Sequence, residues 1–195
     1  MASKLDPKAQ FKKSQSAYVG KYYGPKVYAN TSIKWESQTW SMVLWPLPEN
    51  KEDRVELLIH EAWHSIQNDL GLPMQSLFLD HLDQYDGRLL MRLEWNALHK
   101  ALIENSKKKK EYLQKALLFR SLRYKKFPQA QEKEKVLDFN EGLAAYTGTK
   151  LRTDKLADIS SYLRSRLDKI PEVPSLARSA SVSYTHLRAH ETDRH

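Results

Sequence analysis

The stretch that decides the fold is residues 50–73, with the sequence NKEDRVELLIHEAWHSIQNDLGLP. Asn50 supplies a helix N-cap, and two acidic residues follow in the first turn, where the helix dipole favours negative charge. Gly71 and Pro73 end the helical pattern, because glycine is a common C-cap and proline cannot continue a helix. Between these limits apolar residues recur with a period close to 3.6, which predicts an amphipathic helix: Val55, Leu58, Ile59, Ala62, Ile66 and Leu70.

Five residues inside this helix form a metal-binding pattern, His60-Glu61-Ala62-Trp63-His64, which matches H-E-x-x-H. Histidines four positions apart lie on one helical face, so both imidazoles reach the same ion. Glu61 lies about 100° round the helix from His60, close enough to deprotonate a water without binding the ion. Zinc held by three protein ligands keeps a position for water and lowers the pKa of that water. The pattern therefore predicts a zinc-dependent hydrolase with Glu61 as general base.

A third ligand is required, because two histidines alone make a poor catalytic zinc site. The missing group is another histidine or a carboxylate. The residues alone leave several candidates open outside the C-terminal tail: Glu141, Glu94, His81, His99 and the loop aspartates Asp80, Asp83 and Asp86.

A family resemblance separates these candidates. Residues 140–146, Asn-Glu-Gly-Leu-Ala-Ala-Tyr, resemble the second metal helix of gluzincin peptidases, especially the aminopeptidase N class. In that class the Glu after Asn is the third zinc ligand, so the resemblance implies Glu141. The small residues of this segment, Gly142, Ala144 and Ala145, fit close packing against the helix that carries His60 and His64. Over about residues 15–155 the chain resembles little-characterised bacterial gluzincin-like proteins, which implies a zinc metallopeptidase.

The chain departs from the family pattern in three ways. The gap between His64 and Glu141 is far longer than in aminopeptidase N, which implies an inserted helical region. The motif by which that class binds a substrate's free amine is not visible. Ala145 stands where thermolysin-like gluzincins have an Asp that supports a ligand histidine. A supporting carboxylate must therefore come from elsewhere, and the candidates are Asp83, Asp86 and Glu94.

Other residues are candidates for contact with the substrate. His81 lies in a polar loop after the metal helix, which suits contact with the substrate or with an oxyanion. Tyr146 could donate a hydrogen bond to that oxyanion, although its position about 140° round the helix from Glu141 equally suits packing. Residues 39–45 alternate in polarity as a strand, and this strand is a candidate edge for an extended peptide.

The order of predicted elements is α+β: a small N-terminal hairpin, then a mainly helical, zincin-like domain. Residues 1–25 are a polar, partly helical lead-in, and the catalytic domain spans 26–170. Two predicted strands, the metal helix and an irregular loop precede four further helices. The bounds are 27–35 and 39–45 for the strands, 74–87 for the loop, and about 88–104, 110–125, 131–146 and 154–168 for the later helices.

The two ends of the chain carry separate expectations. Residues 171–181 are a linker or the start of a truncated C-terminal region. Residues 182–195 resemble the translation of a transposon-based sequencing adapter, so fold reasoning excludes this segment and its histidines, His186, His190 and His195. The bacterial gluzincin-like proteins that this chain resembles are longer at both ends and often begin with an export signal. A periplasmic or secreted location is therefore open, although this chain begins without a signal peptide.

Composition and charge narrow the function classes. The chain of 195 residues is 41% hydrophobic and 29% charged, which is typical of a globular domain. It has no cysteine and no apolar run long enough to cross a bilayer. The net charge of +8 lies largely in lysine runs without interleaved aromatic residues, so no nucleic-acid partner is expected. The expected partner is a peptide or protein substrate. Two alternative functions stay open: an inactive zinc-binding protein with a binding or regulatory role, and a basic nucleic-acid-binding domain in which H-E-x-x-H occurs by chance.

Overall fold

The computed structural model of the chain describes residues 2–4, 8, 10–24, 26–35, 38–73, 75, 78–104, 106–153 and 155–177. Within these residues the fold is α+β, as predicted: two antiparallel hairpins precede a mainly helical region. The predicted adapter segment 182–195, with its three histidines, lies outside the described residues. So do the last part of the predicted linker, residues 178–181, and residues 36–37 between the two predicted strands.

The two hairpins are short. Strands β1 (Lys12–Ser14) and β2 (Ala17–Val19) pair with each other, and β3 (Thr31–Trp35) pairs with β4 (Gln38–Met42) in the register Ile33 opposite Trp40. The described residues of the predicted lead-in, 1–25, form strands and no helix, so the prediction that this segment is partly helical is wrong for them. The first hairpin has strands of only three residues, and its turn uses Gln15 at φ 54° instead of a glycine or asparagine. Neither feature is a recognisable hairpin signal.

Six α-helices follow in the described part of the chain, and there the predicted helical segments are confirmed apart from their ends. The predicted fourth helix is interrupted, because residues Asp138–Gly142 form a π-helical turn. The predicted loop contains a 3-10 turn at Asp80–Asp83. The helices are α1 (Lys51–Ile66), α2 (Tyr85–Ile103), α3 (Ser106–Lys126), α4 (Ala130–Leu137), α5 (Leu143–Arg152) and α6 (Leu156–Lys169).

Helix α1 has the predicted N-cap, but it ends earlier than predicted and faces the other way. The Asn50 side chain accepts a hydrogen bond from the Asp53 amide at 2.9 Å. The helix ends at Ile66 with Gln67 as its C-cap, and Gly71, with a positive φ of 75°, lies in the turn that follows. The apolar stripe lies on the solvent side, since its members Leu58, Ala62, Ile66 and Leu70 are exposed. The inward face instead carries Glu56, His64 and Gln67, because α5 packs against it. The polar face of α1 is therefore the one that the fold covers.

The main hydrophobic core lies among α2, α3 and α6. Trp95 and Met91 of α2 and Leu163 of α6 are almost fully buried within it. Gly87, in the first turn of α2, lies so close to the turn before it that an added Cβ would be 1.9 Å from the carbonyl oxygen of His81. Among the described residues, no helix combines the length and apolarity that a bilayer crossing requires.

A buried ionic network ties α2, α3 and α4 together, and we call it the Arg123 network. The fully buried guanidinium of Arg123 donates to both carboxylate oxygens of Glu134, at 2.7 and 2.6 Å, and forms an ion pair with Glu94 at 2.8 Å. Arg120 donates from Nε to Glu94 at 2.8 Å, and His81 Nε2 is hydrogen bonded to Glu134 at 2.8 Å. These groups hold the helical region to the 3-10 turn that carries His81.

Candidate metal centre

Three side chains from two distant parts of the chain bring their donor atoms together. The Nε2 atoms of His60 and His64 are 3.1 Å apart, and they lie 3.3 and 3.7 Å from Oε2 of Glu141. Within the described residues, this is the cluster of histidine and acidic groups whose ligand atoms could hold one metal ion. Its three members are the predicted ligands.

Close packing of α1 and α5 creates this geometry. Ala144 and Ala145 have no exposed surface, and a Cβ added to Gly148 would lie 3.0 Å from the backbone oxygen of Glu56. The predicted close approach of the two helices is therefore confirmed. Glu141 lies in the π-helical turn just before α5, and such turns occur often at functional sites.

A chain of amide side chains supports the ligands from behind. His64 Nδ1 is hydrogen bonded to Oε1 of the fully buried Gln67 at 3.0 Å, and Gln67 Nε2 donates to Asn140 Oδ1 at 3.1 Å. Asn140 in turn donates to the backbone oxygen of Gln75. Because the glutamine oxygen only accepts, this bond places a proton of His64 on Nδ1, so that in the neutral ring the Nε2 lone pair is the one available to a metal.

The expected supporting carboxylates are therefore corrected. Asp83 accepts from the backbone amide of Leu176 at 2.7 Å, and Asp86 pairs with Lys126. Glu94 belongs to the Arg123 network, which also removes it as a third ligand. The supporting group is Gln67, which sequence reasoning missed although it lies three positions after His64 on the same helical face.

Replacing Gln67 by leucine is expected to weaken zinc binding roughly 10- to 100-fold, the usual effect of losing an outer-sphere partner. Leucine keeps much of the buried volume but cannot hold the His64 tautomer. Competition with a zinc-binding dye measures the affinity. The matched control is Gln131→Leu at an exposed position of α4, which should bind zinc like the wild type. Equal affinities for the two variants would contradict a supporting role for Gln67.

Glu61 has the surroundings expected of a general base, because its carboxylate is buried and one of its oxygens is available to accept a proton. Its side chain is 5% exposed, and its Oε2 atom has no hydrogen-bond partner among the described residues. Burial raises the pKa of this carboxyl, while the nearby imidazoles of His60 and His64 act in the opposite direction. Ser41 of β4 donates to the backbone oxygen of Glu61 at 2.9 Å, which ties the strand to the motif.

The charges of the ligand groups depend on one another. Burial alone would raise the pKa of Glu141, but hydrogen bonds with the two histidines outweigh it and lower this pKa to about 2. Burial would lower the pKa of His64, yet its bonds to Glu141 and Gln67 raise it. The cluster therefore stabilises the ionised carboxylate of Glu141 and favours the protonated ring of His64, whose proton a bound metal ion would displace.

The other predicted site residues lie elsewhere or keep an untested role. The structure does not bring His81 to the cluster: its ring is 4% exposed, bonded to Glu134 and packed on Phe127. His99 is also buried, with Nε2 at 3.2 Å from the backbone oxygen of Ser160. Tyr146 lies half-buried on α5, and its predicted hydrogen bond to an oxyanion stays a prediction.

A cleft of about 1240 Å³ opens from this cluster along α1, and we call it the α1–α6 cleft. His60 and Glu61 belong to its lining, and α6 forms the facing wall. The volume exceeds the roughly 300–1,000 Å³ of small-molecule pockets, so the cleft has room for an extended ligand.

Comparison of the chain with protein-family models, with curated proteins and with solved structures gave no match. The gluzincin resemblance therefore rests on the residues quoted for it.

Proposed function

We propose that this chain is a zinc-dependent metallohydrolase that cleaves amide bonds of peptides, with His60, His64 and Glu141 as the zinc ligands. The triangle of donor atoms carries the proposal. Zinc bonds to histidine and carboxylate are about 2.0–2.2 Å long, so a tetrahedral site has ligand-to-ligand distances of about 3.3–3.6 Å. The distances of 3.1, 3.3 and 3.7 Å scatter around that range.

The buried Oε2 of Glu61, which has no hydrogen-bond partner in the described part of the chain, supports a hydrolytic role over a site that only stores metal. Bound zinc would supply Lewis acidity and a water that ionises near neutral pH. Glu61 takes a proton from the attacking water as the water oxygen bonds to the carbonyl carbon. It then returns that proton to the leaving nitrogen as the carbon–nitrogen bond breaks. Gln67 holds the His64 ring throughout, and Tyr146 is a candidate donor to the carbonyl oxygen.

The peptide itself could lie beside β4, the strand predicted as a binding edge. In the two-stranded sheet β4 pairs only with β3 among the described residues, and Ser41 connects it to the backbone of Glu61. An extended peptide could therefore add to this edge with its scissile bond near the metal. A complex with a peptide mimic bound elsewhere would remove this part of the proposal.

Replacing Glu141 by alanine is expected to lower zinc affinity at least a hundredfold and to abolish stoichiometric zinc content. The reason is that a ligand contributes more than the 10- to 100-fold of an outer-sphere partner. Elemental analysis of purified protein and dye competition measure both quantities. Glu132→Ala removes an exposed carboxylate from α4 and should retain one zinc per chain.

Stoichiometric, tightly bound zinc in the Glu141→Ala variant would contradict the proposed ligand set. The same experiment separates the rival functions. Full zinc content without cleavage of any peptide would favour a binding or regulatory role. Absence of zinc together with salt-sensitive binding of nucleic acid would favour the basic-domain alternative.

A further inference from the structure

The α6 wall of the α1–α6 cleft carries two cationic side chains, Arg166 and Lys169, that the proposed reaction does not use. They lie on the same face of α6 as Asp158 and Tyr162, at spacings of three and four residues, and all four line the cleft. Arg166 is half-buried and forms no ion pair with any residue that the structure describes. A guanidinium held in a cleft without a carboxylate partner is suited to bind one from a ligand.

The position of Arg166 is fixed by its neighbours. Its Nη1 donates to the Tyr162 hydroxyl at 2.8 Å, and its guanidinium lies 5.5 Å from the centre of the Tyr162 ring. The Tyr162 hydroxyl also donates to Glu56, and Arg152 packs on the same ring at 4.2 Å. Arg166 is thus pre-organised through a ring that α1 and α5 hold in place.

The second arginine of the cleft is already neutralised. Arg152 Nη1 lies 3.0 Å from Asp53 and 2.9 Å from Glu56, so the acids of the α1 wall offset its charge. Lys169 lines the cleft beyond Arg166, is exposed, and forms no ion pair within the described part of the chain. With Asp158 counted against Arg166 and Lys169, the face of α6 that lines the cleft keeps a net positive charge.

We infer that Arg166, assisted by Lys169, binds a carboxylate of the peptide substrate and so selects where the chain is cut; this inference rests on the proposed function. Glu56 precedes His60 by four residues, a rise of about 6 Å, and two hydrogen bonds lead from Glu56 through Tyr162 to Arg166. The path is on the order of 10 Å, and an extended peptide advances about 3.3–3.6 Å per residue. The carboxylate lies two or three residues from the scissile bond.

Two sources could supply that carboxylate: the C-terminus of a peptide or the side chain of an Asp or Glu. A C-terminal carboxylate makes the protein an exopeptidase that releases short C-terminal fragments. An acidic side chain makes it an endopeptidase with a preference for acidic sequences. Both use the same fork of guanidinium donors, so the test needs one arm for each source.

The test measures binding of fluorescein-labelled hexapeptides, randomised at internal positions, to the zinc-loaded Glu61→Gln protein by fluorescence anisotropy. One pair of pools differs only in a free or amidated C-terminus; a second, amidated pair differs only in Asp or Asn at the penultimate position. We expect one carboxylate form to bind about tenfold or more tightly than its neutral counterpart, since a charged hydrogen bond contributes about that much. The pair that shows the difference identifies the source.

Adding Arg166→Gln should remove that difference, and Arg166→Lys should keep part of it. Arg164→Gln is the matched control, because Arg164 is exposed on the same helix and pairs with Asp168. Equal binding in both pairs, or a difference that survives Arg166→Gln, would overturn the inference. Carboxylate-dependent binding without cleavage by the wild-type protein would instead contradict the proposed function alone. Cleavage at equal rates for all four pools would contradict this inference and leave the proposed function standing.

Discussion

Replacement of Glu61 by glutamine is expected to lower the rate of peptide hydrolysis by about 10²- to 10⁴-fold while zinc remains bound. General base catalysis by a positioned side chain typically contributes a factor of that size. Glutamine keeps the shape of the side chain and can still hydrogen bond to water, but it cannot accept the proton. Because Glu61 is 5% exposed and lies beside the ligand cluster, no solvent-exposed carboxylate replaces it easily.

The decisive comparison pairs turnover with metal content in the same preparations. Zinc content is expected to match the wild type, since Glu61 is not among the three clustered ligands. Glu132→Gln makes the same chemical change at an exposed position on α4 and should leave turnover unchanged. Turnover within a few-fold of wild type in zinc-loaded Glu61→Gln would refute the role of general base.

The parts of the fold that sequence predicted well are those governed by local patterns. The N-cap of α1 at Asn50 and the apolar periods of the later helices depend on neighbours within a few residues. The orientation of α1, in contrast, does not depend on neighbouring residues in the sequence. Its apolar stripe suggested a buried face, whereas the helix buries the face of His64 and Gln67, which packs against α5. Periodicity identifies a helix, but the face that is buried depends on which elements pack against it.

Sequence predicted the three members of the candidate metal cluster but not the residues that surround it. His60 and His64 follow from spacing, and Glu141 followed from a family resemblance because 77 positions separate it from His64. The π-helical turn that presents Glu141 leaves no mark on the apolar period. His81 and Glu94 were expected near the metal and instead serve the Arg123 network. Those pairings join residues far apart in sequence, so only tertiary packing determines them.

Replacement of Arg123 by methionine is expected to lower the free energy of unfolding by about 3–5 kcal/mol, which is typical when a buried ionic network loses one partner. Glu94 and Glu134 have no exposed side-chain surface, and Arg123 contacts both. Methionine fills part of the space, but it leaves two buried carboxylates with less compensation. Urea unfolding of zinc-free protein measures the change without the stabilisation that bound metal adds. Lys125→Met is the control at an exposed position of α3 and should cost little.

The pH dependence of the same measurement tests the cause. Burial alone would raise the pKa of Glu134, but the bonds from Arg123 and His81 outweigh it and lower the pKa below the ordinary value of 4.5. A carboxyl whose pKa is lowered by folding stabilises the fold above its unfolded pKa and loses that effect as pH falls through its folded pKa. The stability of the wild type should therefore decrease when the pH is lowered below about 4.5, and Arg123→Met should flatten this part of the profile.

Adding Glu134→Leu to Arg123→Met should recover part of the lost stability, because it removes one carboxylate that lost its partner. If the Arg123→Met variant were as stable as the Lys125→Met control, these buried charges would not be what holds the helices together.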